Sequence, residues 1–255
     1  MTNQEIRQIA LDQSAIDCNC NPEHFLQSEN VITCSRAHPQ ARKYLPLPFA
    51  CDMVSYGSNI VAQTHQDIAN VVREYLNFTD VGHAFESPAV HVLDELLSPF
   101  DLKVCFMAEY FLPDVTVLNE LPCPYELRVL HQADFQDLYL PQWSNALCEK
   151  RKHLDMLAVG AYDGEKLIGL AGCSADSDTM WQIGIDVLPE CRRQGVASSL
   201  TSILALEALH RGMAPFYCCA WSNVASARNA IRAGFRPAWV TVTVKSKDFI
   251  REMNG

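Results

Sequence analysis

One change of hydrophobic period constrains this 255-residue chain more than any other feature. Residues 180–187 alternate: Trp181, Ile183, Ile185 and Val187 stand against Gln182, Gly184 and Asp186, the period-two pattern of a strand. From residue 196 the period lengthens. Val196, Leu200, Ile203 and Leu204 recur at helical spacing, Leu206 and Leu209 widen the apolar face, and Gly212 supplies a stop. Pro189 ends the strand, and Arg192-Arg193-Gln194-Gly195-Val196-Ala197 joins it to the helix. A helix entered directly from such a loop presents unpaired N–H groups at its positive end, and small residues let an anion approach the backbone. Arg192 and Arg193 add charge-assisted contacts to phosphate oxygens. The chemistry this suits is the cradling of a diphosphate. Alone, Arg-x-x-Gly-x-Ala is a weak signal, because a glycine between strand and helix is commonly a simple turn. The order of elements around it has to carry the weight.

That order is specific. Residues 125–130 have strand character, and 133–150 carry helix-forming residues broken at Pro141, which predicts a strand and one or two helices. The apolar runs 157–162 and 166–173 are joined through Asp163-Gly164-Glu165, a hairpin turn in which the Asp-Gly pair supplies positive φ. After the long helix come an apolar strand at 216–220, a second helix capped by Asn223 and running through Ala233, Gly234 as its stop, and a last strand at 235–244. Upstream, the pattern predicts helices at 67–76 and 89–97 and a strand at 102–112. Residues 87–113 echo 223–244 in order and length, which a degenerate internal repeat would explain, although any helix-then-strand unit looks alike. The proline-bounded Leu121-Pro122-Cys123-Pro124 is the expected boundary. The fold class is α/β with a mixed sheet: 1–120 as an N-terminal α/β domain, 125–255 as a second one.

With Val187-Leu188-Pro189, the loop Arg192 to Ala197, Trp221-Ser222-Asn223 and Gly234-Phe235 in this order, 125–245 resembles the GNAT superfamily of N-acetyltransferases. That family's phosphate loop reads Q/R-x-x-G-x-G/A, followed later by an Asn and a Gly-Phe. The resemblance implies an acyl-CoA-binding fold with acetyl-CoA as co-substrate. It implies that the backbone of Ile185 and Val187 pairs with the pantetheine arm where two central strands splay. The loop, Arg192, Arg193, Gln194, Gly195, Val196, Ala197 and Ser198, would hold the pyrophosphate. Asn223, Ser226 and Asn229 would lie along the cofactor. An acceptor amine would attack the thioester directly, with proximity and a backbone N–H near Ile185 or Val187 supporting the developing oxyanion.

Two features bear on catalysis. Asp186 is the acidic side chain on the thioester strand and the candidate base, against a structural role as hydrogen-bond acceptor. Many family members place a tyrosine seven residues after the Asn to protonate the thiolate, and here that residue is Ala230. This admits a second reading, a non-catalytic acyl-CoA sensor. Cys218 and Cys219 on the strand before Asn223 have no evident histidine partner and read as packing.

Composition narrows the partners. A formal net charge of −10 without a Lys/Arg cluster argues against nucleic acid, and no apolar stretch approaches the ~20 residues of a membrane span. Eleven cysteines without an N-terminal apolar signal core indicate free thiols and a cytoplasmic setting. Cys18, Cys20, His24 and Cys34 match structural zinc spacing poorly, so no metal is expected. The expected partner is a small-molecule or peptide amine. Oligomeric state, acyl length and the role of 1–120 are left open.

Overall fold

The structure, a computed structural model, describes residues 1–255. In chain order it contains α1 (Asn3–Asp17), β1 (Val31–Cys34), β2 (Cys51–Ser55), β3 (Val61–Thr64), α2 (Ala69–Phe78), α3 (Ser87–Leu97), β4 (Leu102–Pro113), β5 (Glu126–His131), β6 (Asp155–Asp163), β7 (Lys166–Ser174), β8 (Met180–Val187), α4 (Val196–His210), β9 (Ala214–Ala220), α5 (Val224–Arg232), β10 (Phe235–Ser246) and α6 (Lys247–Asn254). The α/β class and the strand and helix order from β6 to β10 are as read from the sequence. The chain divides into two compact units, one of Met1–Ala10 with Tyr110–Pro237 and one of Leu11–Glu109 with Ala238–Gly255.

These limits differ from a division at 121–124, for a physical reason on each side. The proline-bounded segment is held along α4: the Ser199 hydroxyl donates to the Pro122 carbonyl at 2.7 Å, and the Leu121 N–H donates to Ser202 Oγ at 3.4 Å. The end of the chain belongs with the upstream residues because β10 pairs antiparallel with β2, from Val240↔Ser55 to Val244↔Cys51. Each unit is thus completed by chain from the other half of the sequence.

In the downstream unit β5, β6, β7 and β8 form an antiparallel series, and β9 lies parallel to β8. The apolar stripe of α4 covers one face, where Val196, Leu200, Leu204 and Ala208 are buried with Ile168, Ala171, Ile183 and Val187. The other face carries a smaller core of Phe135, Trp143, Ala146, Leu147, Ala158 and Leu170. The helices expected in 133–150 are absent. Short 3-10 turns stand there instead, Gln136–Leu138, Pro141–Trp143 and Glu149–Leu154. Pro141 breaks the run, and backbone N–H groups that a helix would have used are taken by carboxylates of the sheet, as described below.

In the upstream unit β3 pairs parallel with β1 and antiparallel with β2. Val72, Tyr75, Leu93 and Leu97 of α2 and α3 are buried with Met53, Ala62, Val242 and Val244. Both helices fall near their expected positions, though Asp67 stands in a 3-10 turn, Gln66–Ile68, that precedes α2. The elements α1, β1, β2, β3 and α6 were not anticipated. A polar row crosses this sheet, with buried Asp52 opposite buried Gln63 on one side and half-buried Thr243 on the other. Thr243 donates to Asp52, and Ser35 donates to Gln63 at 2.7 Å. Beside it Arg42 and Asp17 form a buried ion pair at 2.9 Å.

All eleven cysteines are free thiols. No group of three or more His, Cys, Asp or Glu side chains is placed to hold a metal ion, and no helix is long and apolar enough to cross a membrane.

Candidate functional site

The site begins where two parallel strands part. Pairing of β8 with β9 runs from Met180↔Ala214 to Ile183↔Tyr217 and stops there, although β8 continues to Val187 and β9 to Ala220. Along that stretch β8 stays paired with β7, through Gly172↔Gly184, Ala171↔Ile185 and Gly169↔Val187. The strands therefore open a wedge. The Leu188 N–H donates to the Ile168 carbonyl at 2.9 Å, so it faces β7. Because successive residues of a ladder bond to opposite sides, the N–H and C=O groups of Ile185 and Val187 face the wedge. Sequence reasoning selected these two residues, and the geometry gives them the backbone orientation that an extended ligand needs.

The loop at the open end of β8 has two residues in the left-handed region, Arg193 at φ 61° and Gly195 at φ 86°. For Gly195 this costs nothing, whereas Arg193 holds a conformation that costs a non-glycine residue roughly 1 kcal/mol. Gly195 is the N-cap of α4, and no side chain caps the helix. The first intrahelical bond is Ser199 N–H to Gly195 O at 3.1 Å, which leaves the N–H groups of Val196, Ala197 and Ser198 without an intrahelical acceptor. An uncapped helix start entered through a left-handed glycine suits an anion.

The loop side chains divide their work differently from the sequence reading. Arg192 donates from Nε to the Val187 carbonyl at 2.9 Å, clamping the loop back onto β8. Gln194 Oε1 accepts from the Tyr125 hydroxyl at 2.9 Å. The Ser198 hydroxyl donates to Gly195 O at 2.9 Å and is buried, so its side chain stabilises the turn and only its backbone is offered. Arg193 stays exposed.

On α5 the Asn223 side chain caps the helix by accepting the Ser226 N–H at 3.1 Å. The hydroxyls of Ser226 and Tyr217 lie 2.8 Å apart, and Asn229 donates to Thr201 Oγ1 at 3.0 Å. These three residues knit α5 to β9 and α4 beside the wedge. Burial raises the Tyr217 pKa above the ordinary phenol value, the Ser226 hydrogen bond opposing it. Ala230 is fully buried in the core, so its position offers no hydroxyl.

Asp186 faces the opposite side of β8. Its carboxylate accepts the Asn145 N–H at 2.8 Å, the Ala146 N–H at 3.0 Å and the Asn145 side-chain amide at 2.6 Å. Asp155, buried, accepts the Cys148 N–H at 2.9 Å and the Tyr139 hydroxyl at 3.1 Å, with desolvation raising its pKa. Two carboxylates thus fasten the segment 139–148 over the sheet. Gly172 and Gly184 make room for it, since a Cβ at either would overlap the carbonyl oxygen of Ala146 or Asn145. Asp186 thus acts as the structural hydrogen-bond acceptor, with three donors on its carboxylate.

Tyr125, Tyr217 and Arg232 also stand beside the loop and wedge, and the sequence reading singled out none of them. The terminal nitrogen of Arg232 lies 3.8 Å from where a Gly195 side chain would begin. No local signal links positions 195 and 232; only the packing of α5 against α4 brings them together.

The model of the acetyltransferase (GNAT) family matches residues 120–235. No protein of curated function matches the chain. Among solved structures, a putative GNAT acetyltransferase from Novosphingobium aromaticivorans is 18% identical, over 56% of this chain and 66% of that one, with a TM-score of 0.43. A GCN5-related N-acetyltransferase from Kribbella flavida is 17% identical, over 60% and 63%, with a TM-score of 0.47. The chain spans just under two thirds of the length of both. A tandem GNAT protein from the clavulanic acid biosynthesis pathway, solved without acetyl-CoA, is 13% identical and covers 96% of this chain and 95% of its own, with a TM-score of 0.50. At such identities the likeness is one of fold, and in the last case it extends over both units. The phosphate-type loop and the strand wedge lie inside residues 120–235, the segment that matches the acetyltransferase (GNAT) family, in a chain that has the fold of a tandem GNAT protein.

Proposed function

We propose that the chain is an acetyl-CoA-dependent N-acetyltransferase that acetylates an amine of a small molecule or peptide by direct attack. The observation that carries this reading is the wedge between β8 and β9, with an uncapped helix start at its open end. The N–H groups of Val196, Ala197 and Ser198 would take the diphosphate. The backbone of Ile185 and Val187 would take the pantetheine arm as an added strand, with the Val187 carbonyl already bound by Arg192. The thioester then lies toward the closed end of the wedge, near Ile183 and Tyr217. A β8 N–H there stabilises the developing oxyanion, and holding both reactants supplies much of the rate.

Asp186 acts in this reading as a positioning residue, shaping the 139–148 segment rather than accepting the ammonium proton. Water or another side chain serves as the base. A thiol of pKa about 8.5 is a tolerable leaving group, so turnover does not require a tyrosine at residue 230.

Buried Ala230 favours one competing reading, an acyl-CoA sensor that binds without turnover. Free CoA release from acetyl-CoA, measured across a panel of small and peptide amines, separates the two. Release that depends on an acceptor is the expected result. Binding with no acceptor-dependent release across the panel would favour the sensor.

A further inference from the structure

We propose that Arg232 is a further coenzyme-binding residue, reaching the phosphate loop from the last turn of α5 and contacting the diphosphate of coenzyme A. The inference rests on the acyl-CoA reading and adds a residue that the loop motif does not contain. The chain holds 30 Asp and Glu against 20 Lys and Arg, so carboxylate partners for an arginine are plentiful. Arg42, Arg128, Arg151, Arg211, Arg236 and Arg251 each have one within 4.0 Å.

Arg232 makes no such pair. One terminal nitrogen of its guanidinium instead lies 3.8 Å from where a Cβ on Gly195 would stand. Gly195 caps the helix whose first N–H groups lack acceptors, so an oxygen held by those groups falls within reach of the same guanidinium. A cation in the last turn of α5 also complements that helix's own dipole. That effect is served by many side-chain directions and does not account for one turned onto the loop glycine. With Arg192 committed to the Val187 carbonyl, Arg193 and Arg232 are the guanidinium groups left at the loop to neutralise phosphate charge.

The test is the affinity of Arg232→Ala, Arg232→Lys and Arg228→Ala for acetyl-CoA, acetyl-dephospho-CoA and S-acetylpantetheine. Arg228, exposed on the same helix, controls for general electrostatic attraction. Arg232→Ala should weaken both nucleotide-containing thioesters by at least roughly tenfold, the range of a lost charge-assisted bond, and leave S-acetylpantetheine unchanged. Arg232→Lys should recover part of the loss. Arg228→Ala should change each by less than about threefold. Unaltered melting of the unliganded Arg232→Ala variant would show that folding is intact. Equal acetyl-CoA affinity in Arg232→Ala and wild type overturns the proposal, and so does a loss that disappears with acetyl-dephospho-CoA, which would move the contact to the 3′-phosphate. Wild-type protein that binds no acetyl-CoA at all would instead overturn the acyl-CoA reading beneath it.

Discussion

The two units lead a strand into a helix in contrasting ways. In the downstream unit β8 passes to α4 through a loop with left-handed Arg193 and Gly195, and the helix start is left uncapped. In the upstream unit β3 passes to α2 through His65, Gln66, Asp67 and Ile68, with no glycine. There the His65 side chain accepts the Asp67 N–H at 3.5 Å, and the Asp67 carboxylate lies 3.2 Å from the same ring. The strands differ as well. The β3 strand pairs with parallel β1 along its whole length, from Val31↔Val61 to Cys34↔Thr64, whereas β8 and β9 part halfway. Between α4 and α5 lies β9, but no strand separates α2 from α3. The two units thus share a helix-then-strand order, while the wedge and the left-handed loop belong to the downstream one. The shared order is what packing requires, and the loop is what a ligand requires.

The largest expected effect comes from breaking the loop that distinguishes the units. Gly195→Val forces a β-branched residue to φ 86°, a conformation such side chains avoid. Acetyl-CoA at ~100 times its dissociation constant should raise wild-type stability by about 2.7 kcal/mol, and the variant should show no such rise in thermal melts. Asp67→Asn in the upstream junction should leave the rise intact. Stabilisation retained in Gly195→Val would place the ligand elsewhere.

Buried carboxylates sharpen the same contrast. In the upstream unit burial pushes the Asp52 carboxyl up to about 7, against the Thr243 hydrogen bond, with the nearby Asp17 charge adding to the rise. The folded chain keeps this proton above the pH at which the unfolded chain releases it. The contribution to stability is therefore complete below about pH 4, declines as pH rises, and is fully lost above about pH 7. Asp52→Asn, isosteric and uncharged, should be more stable than wild type at pH 8, by up to about 4 kcal/mol, with the advantage gone near pH 4. Denaturant titrations at both pH values measure it, and a variant no more stable at pH 8 than at pH 4 relative to wild type would contradict the burial argument.

Asp186, by contrast, is met by three donors. Replacing it with Asn turns an amide toward at least one of them and should cost about 1–3 kcal/mol of stability. Turnover should fall together with that stability. Turnover reduced at least roughly tenfold with unchanged stability and unchanged acetyl-CoA affinity would restore Asp186 as the base.

The downstream unit was legible in the sequence because its signals are local. The alternation through Ile183, Ile185 and Val187, the cap at Asn223 and the left-handed Gly195 each act within a few residues. The segment 133–150 was not legible, because Asp186 and Asp155, distant in sequence, claim its backbone N–H groups. The strands β1, β2 and β3 are four or five residues long, and a polar row containing Asp52 and Gln63 interrupts their apolar pattern. The place of 238–255 could not be read locally, since its pairing partner in β2 lies far upstream in sequence. At the site, the clamp from Arg192 to Val187 and the approach of Arg232 to Gly195 are tertiary facts that no spacing encodes.

The proposal stands or falls on whether the downstream unit alone binds acyl-CoA. Calorimetric titration of the full chain with acetyl-CoA tests it most directly, in wild type and in Gly195→Val. One molecule bound per chain in the wild type, and none in the variant, is the predicted result. Two molecules per chain, or one that persists in Gly195→Val, would contradict it.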